Sequence, residues 1–469
     1  MGNNKPFFMV IGLGKTGLSI ARYLRRKKIH FVMADTRSHP DGLDDFQTEF
    51  PDVEVFLELF PPSLFDNLLA IVCSPGVALD LPFIQTALNK NIPIYGDIEC
   101  FAREVNGPVI AITGTNGKST VTTLVGEMAK AAGRSVAVAG NIGKPVLDIL
   151  DNGVHYDLWV LELSSFQLDL THSLAPIAAT LLNVSSDHLD RHHSLQSYIA
   201  AKQRVYHQAQ VTIYNRADSQ TSPIEDSHLL DVGWAKRSVP TSKVENRVHK
   251  HEMISFGLDA PKEGQWGLLS CGTQPYLACG QQKLLSVDDV KIKGRHNWEN
   301  ALAACALAQA AGIDSQYMSA VLKTFTGLPH RAQWVRTING VDWINDSKGT
   351  NIGATCSAIS GIGDSMRGKL VLIAGGQGKG ADFSELRAPI AAHVRSLVLI
   401  GADADKMEQA LGPVVNVLRA PSLEEAVRLA NMQAEPGDVV MLSPACASLD
   451  MFHDFNERGE VFMSAVNAL

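Results

Sequence analysis

The segment 114–118 carries the residue types of a phosphate-binding loop. It reads GTNGK, follows an apolar run at 109–113 and precedes Ser119, where a stretch with helical periodicity begins. In such a loop, backbone N–H groups and the helix N-terminus hold phosphates, the lysine reaches the outer phosphates and a hydroxyl binds Mg²⁺. The segment departs from the GxxxxGK[ST] pattern, because Ile112 replaces the first glycine. A turn of purely structural purpose is the alternative, but the pattern favours a triphosphate site.

Two further groups are expected beside this loop. Glu162 lies in an apolar strand at 158–163, and His188 follows a second strand at 178–183. Because the carboxyl ends of neighbouring parallel strands share one crevice, both side chains are expected to face the triphosphate. The structural alternatives are an exposed acid at a strand end and a loop histidine with ordinary hydrogen bonds. A zinc site is a third alternative, disfavoured because the tract contains no thiolate. It would use His188, His192 and His193.

A lysine interrupts the apolar face of the next predicted helix, which begins at Ser194. The apolar positions on that face are Leu195, Tyr198, Ile199, Val205 and Tyr206. Lys202 stands among them, and a lysine there ordinarily extends its amine to the surface. If it stays buried, desolvation lowers its pKa. The neutral amine can then take up CO₂ to give a carbamate, an oxygen ligand for a second Mg²⁺ near His188.

The N-terminus contains a glycine-rich turn of the kind that binds nucleotides. The segment 12–17 reads GLGKTG between a predicted strand at 7–11 and a predicted helix at 18–26, and Asp35 ends the next strand. The helix N-terminus would hold a diphosphate and the acid a ribose hydroxyl. The spacing does not distinguish NAD from a nucleotide sugar, and Arg37 suits a phosphate or a base equally. A glycine turn that serves packing alone is the remaining alternative.

The elements that position these residues predict an α/β protein of three domains. Apolar strands alternate with helical stretches, the pattern of parallel sheets covered by helices on both faces. A chain of 469 residues fits about three domains of roughly 150 residues, and the third glycine-rich turn lies at 370–380. We expect a Rossmann-like N-terminal domain at 1–97, a central P-loop ATPase-like domain with a parallel sheet at 98–326 and a doubly wound C-terminal domain at 327–469. Residues 216–290 are expected to add irregular strands and loops to the central domain.

Composition and charge disfavour several classes of binding partner and indicate the cellular compartment. Lysine and arginine number 41 against 49 for aspartate and glutamate, a formal charge of −8, which disfavours general nucleic-acid or anionic-membrane binding. No apolar run reaches the roughly 18 residues of a membrane span, and the first residues do not resemble a secretory signal. The seven cysteines are scattered without a CxxC pair, so neither a disulfide framework nor a zinc knuckle is expected. These features predict that the protein is cytoplasmic.

These motifs together resemble the Mur ligase family, whose members use ATP to build the peptide of bacterial cell-wall precursors. The strings that carry the resemblance lie in all three predicted domains: GTNGKST, LELSSFQL, NVSSDHLDRH, GRHNWEN, FTGLPHR, INDSKGTN and SPACASLD. Within the family, GLGKTG, the string DTR at 35–37 and SPACASLDMF are most similar to the member that adds D-glutamate. The absence of a DNPR string disfavours the member that adds diaminopimelate. The match is loose over 216–290.

The resemblance implies a set of binding residues in each domain. Those implied for ATP are Gly114, Thr115, Asn116, Gly117, Lys118, Ser119, Thr120, Asn297, Asn300, Arg331 and Asp346. Those implied for the UDP-sugar are Gly14, Lys15, Thr16, Asp35, Thr36, Arg37, Ser74, Gly76, Asn141 and His188. Those implied for D-glutamate are Thr350, Lys379, Ser448, Leu449 and Phe455. For Ser448 and Phe455, the alternative is capping and packing of a helix.

The resemblance also implies a reaction, that of an ADP-forming acid–amino-acid ligase. Its substrates would be UDP-N-acetylmuramoyl-L-alanine, D-glutamate and ATP, without nucleic acid or stable membrane insertion, and the chain would be a monomer. The implied catalytic residues are Lys118, His188, Lys202, Arg331 and Lys348. Two Mg²⁺ ions are implied, with Lys202 N6-carboxylated. Their implied ligands are Ser119, Glu162, His188 and Lys202.

Three other functions stay open from the residues alone. The GLGKTG turn with Asp35 suits a dehydrogenase that binds NAD. A phosphate loop also serves non-catalytic nucleotide-sensing modules. A related amide ligase, such as a folylpolyglutamate synthetase, would share the central domain but lack the UDP-binding first domain.

Overall fold

A computed structural model describes residues 5–224, 252–272, 274–292, 294–363, 366, 368–378 and 380–469. Three β-sheets follow one another along this part of the chain, with helices between most of the parallel strands. The predicted α/β class is therefore confirmed. None of the helices within these ranges is both long and apolar enough to cross a bilayer.

The N-terminal sheet is fully parallel. Its strands are β1 (Phe7–Ile11), β2 (Phe31–Asp35), β3 (Val55–Leu57), β4 (Leu68–Cys73) and β5 (Ile94–Gly96), and its helices are α1 (Lys15–Arg26), α2 (Leu43–Glu49) and α3 (Pro82–Asn89). The strand order β3-β2-β1-β4-β5 reverses between β1 and β4. Ligands in such sheets bind outside the carboxyl ends of the strands at the reversal, here at the loops after β1 and β4.

The central sheet has the order β14-β13-β12-β11-β10-β9-β6-β8-β7. Its strands are β6 (Val109–Thr113), β7 (Val136–Gly140), β8 (Leu158–Glu162), β9 (Ala178–Leu181), β10 (Val211–Asn215), β11 (Glu252–Phe256), β12 (Trp266–Cys271), β13 (Gln274–Cys279) and β14 (Gln282–Ser286). The helices of this part of the chain are α4 (Asp97–Ala102), α5 (Lys118–Ala131), α6 (Val146–Leu150), α7 (Ser165–Asp169), α8 (Leu189–His192), α9 (Leu195–Gln203), α10 (Arg295–Ala310) and α11 (Ser315–Thr324). Since β6 lies between β8 and β9, the loops after these three strands meet at one edge.

The C-terminal sheet has the order β15-β16-β20-β17-β18-β19, and only its β15–β16 pair is antiparallel among the pairings described. Its strands are β15 (Gln333–Ile338), β16 (Val341–Asn345), β17 (Leu370–Gly375), β18 (Val394–Ile400), β19 (Asn416–Arg419) and β20 (Val439–Leu442). Its helices are α12 (Ile352–Gly363), α13 (Arg387–His393), α14 (Ala404–Leu411), α15 (Leu423–Gln433) and α16 (Phe455–Asn467). Strand β17 is buried along its whole length, because helices cover both faces.

The chain forms two compact units. One comprises residues 1–284 and 301–321, with the N-terminal and central sheets, and the other comprises 285–300 and 322–469, with the C-terminal sheet. The predicted domain boundaries at 97 and 326 stay predictions.

The described part of the segment 216–290 is more regular than expected. It forms β11 to β14, because its apolar side chains pack into the extended sheet; the buried ones include Ile254, Phe256, Trp266 and Leu277. Residues 225–251 lie outside the described ranges.

Candidate active site

The phosphate loop connects β6 with α5. Its turn requires glycine at Gly117, whose φ of 82° lies in the left-handed region. Lys118 begins α5, one residue before the predicted start, and its Nζ donates to the carbonyl oxygens of Gly114 at 2.9 Å and Thr115 at 2.8 Å. The amine is therefore held on the loop beside the helix N-terminus, the part of such loops that binds phosphate.

The loop after β9 braces the phosphate loop through Asn183. Its Oδ1 accepts from the Asn116 N–H at 2.8 Å, and its Nδ2 donates to the Asn116 carbonyl at 3.1 Å. The Asn183 carbonyl accepts from the Thr115 N–H at 2.9 Å, and Thr115 Oγ1 accepts from the Ser185 N–H at 3.1 Å. Sequence reasoning missed Asn183, because an asparagine after a strand is ordinary turn chemistry. Only the sheet order places it against Asn116.

Glu162 ends β8 with one oxygen bound and one unbound. The residue is only 2% exposed, so the alternative of an exposed strand-end acid is wrong. Its Oε1 accepts from Asn141 Nδ2 at 2.8 Å, whereas its buried Oε2 has no hydrogen-bond partner. A buried carboxylate oxygen without a partner is costly, so a cation bound there would stabilise it. Ser119, buried at the start of α5, offers a hydroxyl in the same loop region, and Mg²⁺ needs few protein ligands because it keeps waters and phosphate oxygens.

Lys202 lies in the last turn of α9 and is 2% exposed, so the surface-directed alternative is wrong. Its Nζ donates at 2.8 Å to the Gly114 carbonyl that Lys118 also uses, and lies 4.6 Å from the centroid of the Tyr198 ring. Burial, and then the charge of Lys118, lower the pKa of Lys202 well below its usual 10.5. Of the predicted apolar face, Tyr198, Val205 and Tyr206 are buried, and Leu195 and Ile199 are half-buried.

The three histidines after β9 have different surroundings. His188 has a φ of 52° and a side chain 41% exposed, with Nε2 3.8 Å from the Asp187 carboxylate. His192 is buried, with Nε2 2.9 Å from Ser165 Oγ, whereas His193 is exposed. Within the described ranges, no three His, Cys, Asp or Glu side chains are grouped to hold a metal ion. The zinc alternative is therefore not supported.

The glycine turn after β1 is fixed by a buried acid. A Cβ at Gly17 would lie 1.9 Å from the Gly12 carbonyl oxygen, so the helix packs directly on the turn. The Asp35 carboxylate accepts from the Leu13 N–H at 2.7 Å and from Arg37 Nε at 3.0 Å and Nη2 at 2.9 Å. Burial opposes its ionisation, but these bonds lower the pKa of Asp35 below 3.8. The exposed residues around it are Gly14, Lys15, Thr36 and Arg37, with Thr16 half-buried.

The loop after β4 adjoins this turn. Ser74 Oγ donates to the Gly12 carbonyl at 3.0 Å, and the Ser74 N–H donates to the Ile11 carbonyl at 2.9 Å. Gly76 in this loop and Asn141 after β7 are exposed. Two loops predicted to hold the UDP-sugar thus lie together at the reversal point of the N-terminal sheet.

In the C-terminal unit, Asp346 follows β16 and is almost fully buried. Its Oδ2 accepts from Ser443 Oγ at 2.7 Å, and its Oδ1 accepts from the Ala332 N–H at 3.1 Å. Burial raises the pKa of Asp346 to about 6 despite these bonds. The carboxylate therefore fixes the loops after β16 and β20 and the segment before β15. Its predicted contact with ATP stays a prediction.

Four of the five predicted D-glutamate residues follow β16 or β20 in the chain: Thr350, Ser448, Leu449 and Phe455. Lys348 Nζ lies 3.6 Å from the centroid of the half-buried Phe455 ring, and Ser448 is buried. The N-cap of α16 is Asp454, which accepts from the N–H groups of the first turn, so the capping alternative for Ser448 is wrong. Leu449 is 66% exposed. Lys379 lies outside the described ranges.

The remaining predicted ATP residues of this unit lie at the start of α10 and before β15. Asn300 Nδ2 donates to Asn297 Oδ1 at 3.3 Å. Arg331 and the predicted D-glutamate residue Thr350 are half-buried.

Comparison with known families covers all three sheets. The profile described as the Mur ligase MurD-like N-terminal domain matches residues 7–96, the Mur ligase middle domain matches 112–308, and the Mur ligase glutamate ligase domain matches 330–446. Together they span most of the chain.

Curated relatives match the chain from end to end. A UDP-N-acetylmuramoylalanine–D-glutamate ligase from Legionella pneumophila is 60% identical over 466 residues, 99% of this chain and 100% of its own length. The enzyme of the same name from Pseudomonas fluorescens is 45% identical over 463 residues, 99% of this chain and 98% of its own length.

Solved structures share the fold at low identity. UDP-N-acetylmuramate-alanine ligase MurC from Thermotoga maritima is 17% identical with a TM-score of 0.57, covering 98% of this chain and 99% of its own. The MurF ligase of the same organism, solved with ADP, is 16% identical with a TM-score of 0.58 over 100% of both chains. On the profiles and the full-length relatives, this chain belongs to the Mur ligase family.

Proposed function

We propose that this chain is an ADP-forming ligase that joins D-glutamate to UDP-N-acetylmuramoyl-L-alanine in the synthesis of peptidoglycan precursors. The observation that carries the proposal is the buried Glu162 Oε2 without a partner beside a phosphate loop, an arrangement suited to a nucleotide with its cation. The relatives that match the whole chain carry this activity in their names, which supplies the substrates.

The proposed reaction has two steps. An oxygen of the alanyl carboxylate attacks the γ-phosphorus of ATP, and the bond from that phosphorus to the β-γ bridging oxygen breaks, which gives an acyl phosphate and ADP. The amine of D-glutamate then attacks the acyl carbon, phosphate leaves with the former carboxylate oxygen, and the amine proton goes to solvent. Phosphoryl transfer depends on positioning and charge neutralisation more than on a strong base. Lys118, Arg331 and Lys348 are the proposed cations.

Mg²⁺ fits the oxygen donors that lie beside the phosphate loop of the central sheet. We assign one ion to Ser119 and Glu162, whose free oxygen supplies the negative charge, and a second to His188 and a carboxylated Lys202. The ions, when bound, supply neutralisation of the phosphate oxygens. His188 and Lys202 both border the ring of Tyr198, at 6.4 Å between ring centroids and at 4.6 Å from Nζ, which supports one shared place.

The buried state of Lys202 supports its carboxylation. A neutral amine adds to CO₂, forming a C–N bond and releasing one proton, and the product is an anionic carbamate. Burial and the neighbouring Lys118 favour the neutral amine, because both disfavour a second positive charge. The carbamate would turn a cation beside the phosphate loop into a metal ligand.

The outer substrates are assigned to the other two sheets. The UDP-sugar is proposed to bind at the loops after β1, β2 and β4, with Asn141 and His188 near its muramoyl-alanine end. D-glutamate is proposed to bind at Thr350, Lys379, Ser448, Leu449 and Phe455. ATP additionally uses Asn297, Asn300, Arg331 and Asp346.

We propose that the enzyme acts as a cytoplasmic monomer that binds neither nucleic acid nor membrane. All seven cysteines are free, which suits a reducing compartment. We propose domain boundaries in the chain near residues 97 and 326, and the family profiles that end at 96 and 308 and begin at 330 support this proposal.

The test is a coupled assay of ADP release with UDP-N-acetylmuramoyl-L-alanine, in which single amino acids are supplied in turn. We expect release with D-glutamate and none with L-glutamate or D-alanine. Equal release without any amino acid would refute the ligase. A nicotinamide-dependent absorbance change would instead indicate the dehydrogenase, and ATP binding without turnover would indicate a sensing module.

A further inference from the structure

The side chain of Arg191, which follows a strand of the central sheet, contacts a loop that follows a strand of the N-terminal sheet. Arg191 lies in α8, and its N–H donates to the carbonyl of His188 at 3.0 Å. Its Nη1 donates to the Gly76 carbonyl at 3.0 Å, and its Nη2 donates to the Val77 carbonyl. Both acceptors belong to the loop after β4. The guanidinium therefore joins the turn that carries His188 to a backbone segment of another sheet.

Both loops lie where the topology places ligands. The loop after β4 lies at the reversal of the N-terminal sheet and contacts the glycine turn through Ser74 and Gly12. The loop after β9 lies beside β6 and holds the phosphate loop through Asn183. Arg191 thus connects one candidate ligand site with the other, both within one compact unit.

An aromatic ring fixes the orientation of this guanidinium. The Arg191 Cζ lies 4.9 Å from the centroid of the Phe166 ring, which meets His188 edge-on at 5.0 Å and stacks on His192 at 5.4 Å. Phe166 belongs to α7, which follows the strand that ends at Glu162. A planar fork held by two carbonyls and a ring has a defined direction, which the single ammonium of a lysine does not provide.

We propose that Arg191 is a positioning residue that couples the UDP-sugar site to the phosphate and metal site. A ligand that orders the loop after β4 would fix Gly76 and Val77, and through Arg191 the orientation of His188. The UDP-sugar would thereby raise the affinity for the nucleotide. By linkage, a nucleotide with Mg²⁺ at the phosphate loop would raise the affinity for the UDP-sugar by the same factor. This inference rests on the proposed function, which identifies the two ligands.

The test is calorimetric titration of the full chain with UDP-N-acetylmuramoyl-L-alanine, with and without a saturating non-hydrolysable ATP analogue and Mg²⁺. In the unmodified protein, we expect the analogue to lower the Kd of the UDP-sugar about fivefold or more. In Arg191→Ala, we expect the two Kd values to become equal within about twofold. The coupling ratio is the Kd of the UDP-sugar without the analogue divided by the Kd with it. Arg191→Lys should give a coupling ratio well below that of the unmodified protein, and this variant decides the question if Arg191→Ala does not fold.

Arg22→Ala is the matched control. Arg22 of α1 also links a helix of the N-terminal sheet to a helix of the central sheet, because its Nη1 lies 3.4 Å from Asp148 Oδ2 of α6. It lies in the second half of α1, away from the loops after β1 and β4. Its ratio should equal that of the unmodified protein. A full ratio in a folded Arg191→Ala protein, or no coupling in the unmodified protein, would overturn the proposal. If the unmodified chain does not bind the UDP-sugar at all, the proposed function fails and this inference fails with it.

Discussion

Two lysine side chains share the carbonyl oxygen of Gly114. Lys118 donates to it from the start of α5, and Lys202 donates to it from α9. Two ammonium groups on one oxygen repel each other, and the fully buried one gives up its proton more readily. Burial and the nearby charge of Lys118 therefore disfavour the charged form of Lys202, the side chain that we propose carries the carbamate.

Replacement of Lys202 by alanine tests this assignment. We expect Lys202→Ala to lower kcat by about 10²–10³-fold, because a group that organises charge around the transferred phosphate is lost. Added acetate or formate should restore part of the activity, since a small carboxylate can occupy the place of the carbamate. ADP release measured over a range of carboxylate concentrations gives the answer.

Lys130 provides the control for this experiment, because it is an exposed lysine of α5 paired with Glu127. Lys130→Ala should keep the activity of the unmodified protein and should not respond to carboxylates. Full activity of unsupplemented Lys202→Ala would contradict the carbamate role.

Among the elements, the phosphate loop depends on support from a different strand. Asn183 makes two side-chain hydrogen bonds to Asn116, so Asn183→Ala leaves both Asn116 groups without their partner. We expect kcat/KM for ATP to fall about 10–100-fold, with a loss of about 1–3 kcal/mol in the free energy of unfolding. Kinetics at fixed UDP-sugar and urea denaturation measure the two effects. An unchanged kcat/KM for ATP with reduced stability alone would mean that the two hydrogen bonds serve folding only.

A second contact between elements predicts a pH effect. Asp97 at the start of α4 accepts from Gln167 Nε2 of α7 at 3.1 Å through Oδ2, and its buried Oδ1 has no partner. Burial raises the pKa of Asp97 to about 6, from 3.8. Well below pH 3.8 the Asp97 carboxyl is protonated in both the folded and the unfolded chain. As the pH rises from about 4 to 6 the unfolded chain ionises first, so this group lowers stability, and the full loss is present above pH 6.

Asp97→Asn removes this cost, because an amide stays neutral and its oxygen still accepts from Gln167. At pH 8 we expect the free energy of unfolding of the variant to exceed that of the unmodified protein by about 1–3 kcal/mol. This difference should shrink toward pH 4. Urea denaturation at both pH values measures it. A difference of constant size across this range would show that ionisation of Asp97 is not its source.

The elements differ in how far the sequence predicts them. The strands before each glycine turn and the turns themselves follow from local patterns, and Gly117 needs its positive φ whatever surrounds it. The start of α1 at Lys15, three residues before the predicted Leu18, already depends on packing of Gly17 against Gly12. The roles of Asn183 and Arg191 depend on which strands become neighbours. No short-range pattern contains that information.

Across the whole molecule, the strand order reverses in each of the three sheets, and loops meet at each reversal. In the C-terminal sheet these are the loops after β17 and β20, where the backbones of Gln377 and Ala447 exchange hydrogen bonds at 3.0 and 2.9 Å. The full-length match to the relatives extends over all three sheets. A ligase that joins a carboxylate to an amine at the expense of a nucleotide needs three ligand sites. The sites proposed above for the three substrates lie at loops near these three reversal points.

The fate of one oxygen tests the reaction of the whole molecule. If the alanyl carboxylate is activated as an acyl phosphate, one of its two oxygens must leave with the phosphate when the D-glutamate amine attacks. UDP-N-acetylmuramoyl-L-alanine labelled with ¹⁸O in that carboxylate should therefore give inorganic phosphate with one labelled oxygen per turnover, measured by mass spectrometry. Product formed in unlabelled water with unlabelled phosphate would mean that the carboxylate never bonded to phosphorus. A parallel reaction with unlabelled substrate in ¹⁸O-water separates coupled turnover from simple ATP hydrolysis, because only hydrolysis takes its oxygen from the solvent.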